Sequence, residues 1–203
     1  AHVQTMFEVD YTRVSQIRAR RKKEFADRGV NLTYLAFVAR AVAQNLRRHP
    51  ILNAAVASDA TIFRRDINLG FAVALDWGLI VPVVKNADEL SVAGLAKRIN
   101  DLAERARTKK LVPDEVAGGT FTITNPGIFG GLFGLPIISQ PQVAILAVGS
   151  VDKRAVVVDD AVTIRPMSYF TLGHDHRLID GAEGARFLLA IKKRIEDFDE
   201  ALL

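Results

Sequence analysis

The chain has 203 residues, 49 % apolar and 25 % charged, with a formal net charge of +4. That is enough chain for one globular core; no apolar run reaches the roughly 18–20 residues of a membrane span, and so mild a positive excess suits an anionic small ligand better than nucleic acid. The absence of cysteine excludes disulfides, thiolate metal sites and a cysteine nucleophile and fits a reducing compartment. The chain starts at Ala1 with no initiator Met and no signal-peptide pattern, so it reads as a processed piece with residues expected upstream.

Residues 3–10 (VQTMFEVD) read as a strand. A helix follows over about 13–28, with Asp10 or Thr12 as N-cap candidates and Gly29 as its stop. Its RARRKK run reads as a solvated face rather than an anion patch. A second helix is expected over 33–48, with Leu35, Val38, Ala39, Val42 and Leu46 on one face, and HP at 49–50 ends it. His49 then sits as a cation at the helix C-terminus. TIFRR and INLGFAVAL read as strands parted near Asp66, DWG as a turn and LIVPVV as a short strand, whose Pro82 implies an edge, a bulge or irregularity.

Ser91 caps a third helix over 91–110, with Val92, Leu95, Ile99, Leu102 and Ala106 on its apolar stripe. Next come a strand in GGTFTITN, a loop in PGIFGGLFGLP, a buried strand in VAILAVGSV and a hairpin in AVVVDDAVTI. A strand in MSYFTLGHD and a last amphipathic helix in GAEGARFLLAIKKRIEDF complete the chain. The order lacks regular βαβ alternation and predicts a single α+β unit over 1–203: a mixed sheet with helices on one side.

The glycines at 127, 130, 131 and 134 do not have the spacing of a phosphate loop. The apolar residues between them, Ile128, Phe129, Leu132 and Phe133, suit a wall or an interface. No G-x-S-x-G elbow is present. The densest chemistry lies in GHDHRLIDG, 173–181. His174 and His176 are two apart, so on a strand they share a side. With Asp175 or Asp180 they could bind a metal, but zinc needs three or four organised ligands and only His2 and His49 remain. DGAE, Asp180 to Glu183, fits a capping box. A histidine at a strand end also meets the demand for a catalytic base. Metal site, base and helix start all stay open on the residues alone.

Beyond those residues, DHRLIDG followed by FLLAIKKRIED resembles the active-site signature of the dihydrolipoamide acyltransferases, the core (E2) components of the 2-oxo-acid dehydrogenase complexes. GGTFTITNPGIFGGLFGLPIISQPQVAILAVG, GLIVPVVKNAD, HPILNA and FEVDYTRVSQIRARRKKEF resemble further blocks of that family in the same order, so the likeness covers nearly the whole chain. GLPIISQPQ departs from the usual pattern at Leu135, Ser139 and Gln140.

The resemblance implies a two-layer, chloramphenicol-acetyltransferase-like fold and acyl transfer between a dihydrolipoyl thiol and coenzyme A. Coenzyme A is then a substrate, the lipoyl group rides on a separate domain and no metal is needed. His176 would be the base and Asp180 an orienting residue. Thr124 would donate to the tetrahedral oxyanion; without the resemblance it reads as a β-prone strand threonine no different from Thr122. A free histidine near 6.5 faces a thiol near 8.5, so the proton moves only about 2.7 kcal/mol uphill. Asp76, Leu79, Pro82 and Asn125 would line the coenzyme A channel.

The family forms trimers in which histidine and hydroxyl come from different chains, and the trimers build cubic or dodecahedral shells. Apolar C-termini, here DEALL, reach neighbouring trimers. The implied partners are lipoyl domains and the E1 and E3 components, with neither nucleic acid nor membrane, in the cytoplasm of a bacterium or archaeon or in the mitochondrial matrix. An N-terminal arm, lipoyl domain and subunit-binding domain would lie outside residues 1–203. Several segments resemble the succinyl-transferring branch most, whereas NLTYLAF is nearer the acetyl and branched-chain types. The alternatives are a stand-alone acyltransferase of the chloramphenicol type, a non-catalytic shell-forming scaffold and a zinc hydrolase.

Overall fold

The computed structural model describes residues 2–203. The first strand, β1 (His2–Asp10), leads into α1 (Thr12–Asp27) and α2 (Tyr34–Arg48). The short strands β2 (Ala54–Val56), β3 (Thr61–Phe63), β4 (Leu69–Phe71), β5 (Val73–Leu75), β6 (Gly78–Ile80) and β7 (Val83–Val84) precede α3 (Val92–Arg107). The second half holds β8 (Phe121–Thr124), β9 (Ala144–Val148), β10 (Asp152–Val158), β11 (Ala161–Asp175) and α4 (Gly181–Glu196).

The main sheet runs β1-β11-β9-β8-β4-β7, with β10 added along the first half of β11. The β4/β8 and β8/β9 pairs are parallel and the others antiparallel, so the sheet is mixed as expected. Side chains alternate across β8, because strand periodicity is two. Phe121 and Ile123 enter the core, and the Phe121 ring meets Phe187 of α4 edge-on at 5.8 Å. Phe170 of β11 likewise meets Tyr11. Full burial of each such side chain contributes about 1.5–3 kcal/mol. Thr120, Thr122 and Thr124 therefore face away from the helices. The loop over 126–142 crosses that far face, where Gln4 donates to the Pro136 carbonyl at 3.1 Å.

The helix stripes follow the sequence pattern: Val92, Leu95, Ile99, Leu102 and Ala106 are all buried, and the Ser91 hydroxyl accepts from the Gly94 N–H. The boundaries differ in three places. The α1 N-cap is Tyr11, with the Asp10 carboxylate accepting from the Thr12 N–H just outside the helix; α3 ends at Arg107, where Lys109 turns to positive φ; and α4 ends at Glu196. The RARRKK run is partly committed, since Arg20 and Arg21 pair with Glu200 and Arg18 donates to the Leu32 carbonyl.

INLGFAVAL is not one strand. It breaks at Ala72, whose N–H bonds the Ile123 carbonyl, and β5 leaves the main sheet to pair with β6. Pro82 lies between β6 and β7, as its missing N–H requires, and its carbonyl still accepts from Phe71. Strand β2 was not signalled by local pattern; it exists because β3 pairs with it. Conversely, the hairpin arm and MSYFTLGHD form one 15-residue strand, β11. The Asp159–Asp160 turn has both φ values positive, which is the twist a two-residue hairpin needs. The C-terminal tail folds back, with Leu202 and Leu203 half-buried against the chain's own core.

The glycine-rich run serves backbone packing. A Cβ on Gly127 would lie 2.4 Å from the backbone of Gly149, and one on Gly149 would lie 1.9 Å from the Leu132 carbonyl. Only glycine allows the loop to lie this close to the end of β9. The segment between them leaves Ile128, Phe129, Leu135 and Ile137 well exposed.

Candidate active site

Strand β11 carries the GHDHRLIDG segment to the edge of the core. Leu172 and His174 are fully buried there, and Asp175 ends the strand. His176 opens the turn that follows and is exposed. Arg177 makes a two-oxygen pair with Asp175, and its backbone N–H also donates to Asp175. These bonds from Arg177 hold the Asp175 carboxyl down to about 2. The turn on which His176 sits is thereby closed on both sides of the histidine.

Asp180 then caps α4, accepting from the Glu183 N–H at 2.7 Å. Only half of the expected capping box forms. Instead of returning to Asp180, the Glu183 carboxylate pairs with His49 Nδ1 at 2.8 Å and with Arg186. The hydrogen bond from His49 is the main cause that lowers its pKa below the ordinary range. His49, read as a helix-end cation, thus ties the end of α2 to the start of α4.

The two histidines of the motif differ sharply. His174 is buried with neither ring nitrogen hydrogen-bonded among the described residues. Burial first, and His176 second, push its pKa below that of an ordinary histidine. The two rings stack at 6.2 Å and 27° rather than converging on a point. Among the described residues no three His, Asp or Glu side chains group so as to hold a metal.

The three threonines of the far face are also unequal. The Thr120 hydroxyl donates to Asn53 and accepts from the Asn68 N–H. The Thr122 hydroxyl donates to Gln142 at 2.7 Å. Thr124 alone of the three has no hydrogen-bond partner for its hydroxyl among the described residues, and it is half-exposed at the strand end. The sequence alone could not separate Thr124 from Thr122; their hydrogen bonding does.

One chain does not bring Thr124 and His176 together. Thr124 lies beside Ala147 of β9, and Ala147 beside Thr171 of β11. His176 is five residues further along and two strands across, which places the pair more than about 15 Å apart. Pro82 and Asn125 line a cleft of about 860 Å³ at the Thr124 end, with Phe71, Leu35, Arg18 and Arg107. Asp76 and Leu79 lie instead on the exposed β5–β6 hairpin, and Leu79 is 67 % exposed.

The fold is that of chloramphenicol acetyltransferase, to which the chain is similar at a TM-score of 0.58 and 16 % identity, over 97 % of this chain and 87 % of that one. Residues 1–203 match the family model described as 2-oxoacid dehydrogenases acyltransferase (catalytic domain), and the chain belongs to that family.

The chain is 43 % identical to the succinyltransferase component of the 2-oxoglutarate dehydrogenase complex of Bacillus subtilis, over 100 % of this chain and 49 % of that protein. It is 49 % identical to the acetyltransferase component of the pyruvate dehydrogenase complex of Mycobacterium bovis, over 94 % of this chain and 36 % of that protein. It is 44 % identical to a branched-chain lipoamide acyltransferase component of Bacillus subtilis, over 98 % and 47 %. The chain thus spans half or less of the length of these curated relatives.

Among solved structures, the cubic core of a pyruvate dehydrogenase multienzyme complex superposes at a TM-score of 0.95 with 36 % identity, over 100 % of this chain and 84 % of that one. The dihydrolipoamide acetyltransferase of Azotobacter vinelandii matches with the same score, identity and coverage. That structure was determined to define the catalytic roles of a serine, a histidine and an asparagine.

Proposed function

We propose that this chain transfers an acyl group between a dihydrolipoyl thiol and coenzyme A, using His176 of one copy and Thr124 of another. The observation that carries this reading is the Thr124 hydroxyl, which among the described residues is the one of three threonines on one strand face left without a hydrogen bond. The spacing supports it. The serine and histidine named for the Azotobacter enzyme lie 52 positions apart and its asparagine four beyond; Thr124, His176 and Asp180 have the same spacings.

His176 takes the proton from the coenzyme A thiol, and the thiolate adds to the acyl-lipoyl thioester carbonyl. The Thr124 hydroxyl donates to the oxyanion of the tetrahedral intermediate. When the intermediate collapses, the carbon–sulfur bond to the lipoyl group breaks and His176 returns the proton to the departing thiolate. Asp180 does not carry a proton in this scheme. It holds the start of α4, and with it the turn that presents His176. Both thiols come from substrates, so the lack of cysteine is no obstacle.

Coenzyme A fits the cleft at Pro82 and Asn125. Phe71, Leu35, Ile128 and Phe129 offer an apolar wall to the pantetheine arm, and Arg18 and Arg107 offer cations to anionic groups. The lipoyl group is delivered from a separate domain. Trimers assembled into a shell bring the two half-sites together, and their likeness to the solved cubic core supports that assembly. Through it the chain would meet lipoyl domains and the dehydrogenase (E1) and dihydrolipoamide dehydrogenase (E3) components.

Succinyl is our first choice of acyl group, on the sequence segments that resemble the succinyl branch. Relatives of all three acyl types lie within 43–49 % identity. Steady-state rates with dihydrolipoamide and acetyl-, succinyl- and branched-chain acyl-coenzyme A test the choice. No turnover with any donor would reject acyl transfer, and acetyl as the best donor would reject succinyl.

A further inference from the structure

We propose that His174 is a positioning residue: its buried ring, backed by Gly184 of α4, forms the flat wall that holds the His176 imidazole in its working plane. This inference rests on the reading of His176 as the base.

His174 is an expensive choice for its place. It is fully buried, and neither ring nitrogen makes a well-formed hydrogen bond among the described residues, the Leu172 backbone offering only a weak one. Its cross-strand neighbours, Val3 of β1 and Ala144 of β9, have no side-chain polar group to offer. The charged groups nearby are committed elsewhere. Asp175 is held by Arg177, Asp180 by the Glu183 N–H, and Glu183 by His49 and Arg186. An unpaired buried polar group calls for a reason other than stability.

The reason lies on either side of the ring. On one side His176 stacks against it at 6.2 Å and 27°. The His176 ring is exposed and is a partner in no hydrogen bond among the described residues, so the His174 ring is the aromatic neighbour against which it lies. On the other side a Cβ at Gly184 would lie 2.9 Å from His174 Cε1 and 3.2 Å from Nδ1. A glycine in the first turns of a helix costs about 0.5–1 kcal/mol relative to alanine; here it makes room for the ring. Burial lowers the pKa of His174 and so disfavours its charged form; a neutral ring can face the imidazolium that forms when His176 accepts a proton, whereas a second cation would repel it.

The test uses the full assembled protein with His174→Leu, His174→Phe, Gly184→Ala and His176→Ala. Leucine removes the flat face, phenylalanine keeps it, and alanine at 184 pushes the ring from behind. In His174→Leu and Gly184→Ala we expect kcat to fall about tenfold or more, as misplacement of a catalytic group does, with KM for both thiol substrates within about twofold of wild type. His174→Phe should keep at least about half of kcat. Wild-type kcat in His174→Leu, or equal losses in His174→Leu and His174→Phe, would overturn the proposal.

A second readout needs no acyl transfer: the rate at which diethyl pyrocarbonate modifies His176, followed by mass spectrometry. It should rise in His174→Leu and stay at the wild-type value in His174→Phe. An unchanged rate in His174→Leu overturns the positioning role. Full activity in His176→Ala would instead overturn the base assignment, so the two failures are distinguishable.

Discussion

The two ends of the sheet are built differently. At the His176 end most polar groups are satisfied within the chain, His174 being the exception: Arg177 closes the turn on Asp175, Asp180 caps α4, and Glu183 bridges to His49. At the Thr124 end polar and apolar groups are left over. The Thr124 hydroxyl is unengaged among the described residues, and the loop that follows it exposes Ile128 and Phe129. A monomer gains nothing from so much apolar surface, and patches of this kind mark places where another molecule sits. The difference teaches that one chain by itself organises the turn that carries His176 and leaves the Thr124 end open.

The largest effect should come from the His176 end. His176→Ala is expected to lower kcat by about 10²–10⁴ without altering assembly, measured by steady-state acyl transfer and by mass in solution; wild-type turnover would remove the base from the scheme. Thr124→Val keeps the shape and removes the donor, with an expected loss of about 10²–10³ in kcat. Thr122→Val, whose hydroxyl is already bonded to Gln142, should act mainly on stability. Equal kcat losses at 122 and 124 would break the distinction between them.

The sharpest test of the comparison mixes the two inactive proteins. Subunits carrying His176→Ala, refolded or coexpressed with subunits carrying Thr124→Val, should recover about a quarter of wild-type activity, because random assembly pairs an intact histidine with an intact threonine at that frequency. No recovery in mixed assemblies would place both groups in one chain's site.

Smaller effects concern the supports. Asp175 has its pKa lowered in the folded state to about 2, so its stabilisation is present above its ordinary pKa of 3.8 and is lost as pH falls through about 2. Asp175→Asn should therefore cost about 1–2 kcal/mol at neutral pH, allowing for the exposed Arg177 partner, and little at very low pH. Denaturant melts at two pH values check the sign, and an equal loss at both would contradict it. Asp180→Ala should cost about 1 kcal/mol through the lost cap and Asp180→Asn much less, since asparagine also caps. Alanine and asparagine behaving alike would mean that Asp180 does more than cap.

Much of this was readable along the chain. Helix faces, the Ser91 cap, the Asp180 cap and the hairpin at Asp159–Asp160 depend on residues three or four apart, or on the conformational preferences of single residues. His174 and His176 lie next to each other as period-two spacing suggests, although His176 sits in the turn just past the end of the strand. The failures were non-local. INLGFAVAL looks like one strand, yet β5 turns away at Ala72 because Ile123, far along the chain, takes the Ala72 N–H. Strand β2 has no pattern of its own and exists through β3. The glycine run reads correctly as a loop, but the reason for its glycines, the close approach of Gly127 to Gly149, lies in the fold.

For the chemistry, the order of residues determined which groups are present: a histidine at a strand end, an aspartate at a helix start and three threonines in alternation. These are properties of short segments, whose periodicity and capping act over a few residues. Only the tertiary structure decided which threonine is free, since Asn53, Asn68 and Gln142 come from distant segments to engage the other two. It alone showed that Thr124 and His176 stand at opposite ends of the sheet, because strand register converts positions in the chain into distances in space. It also separated the two histidines: burial and stacking depend on what lies across the fold, and Gly184 of α4 is what leaves room for His174 behind His176.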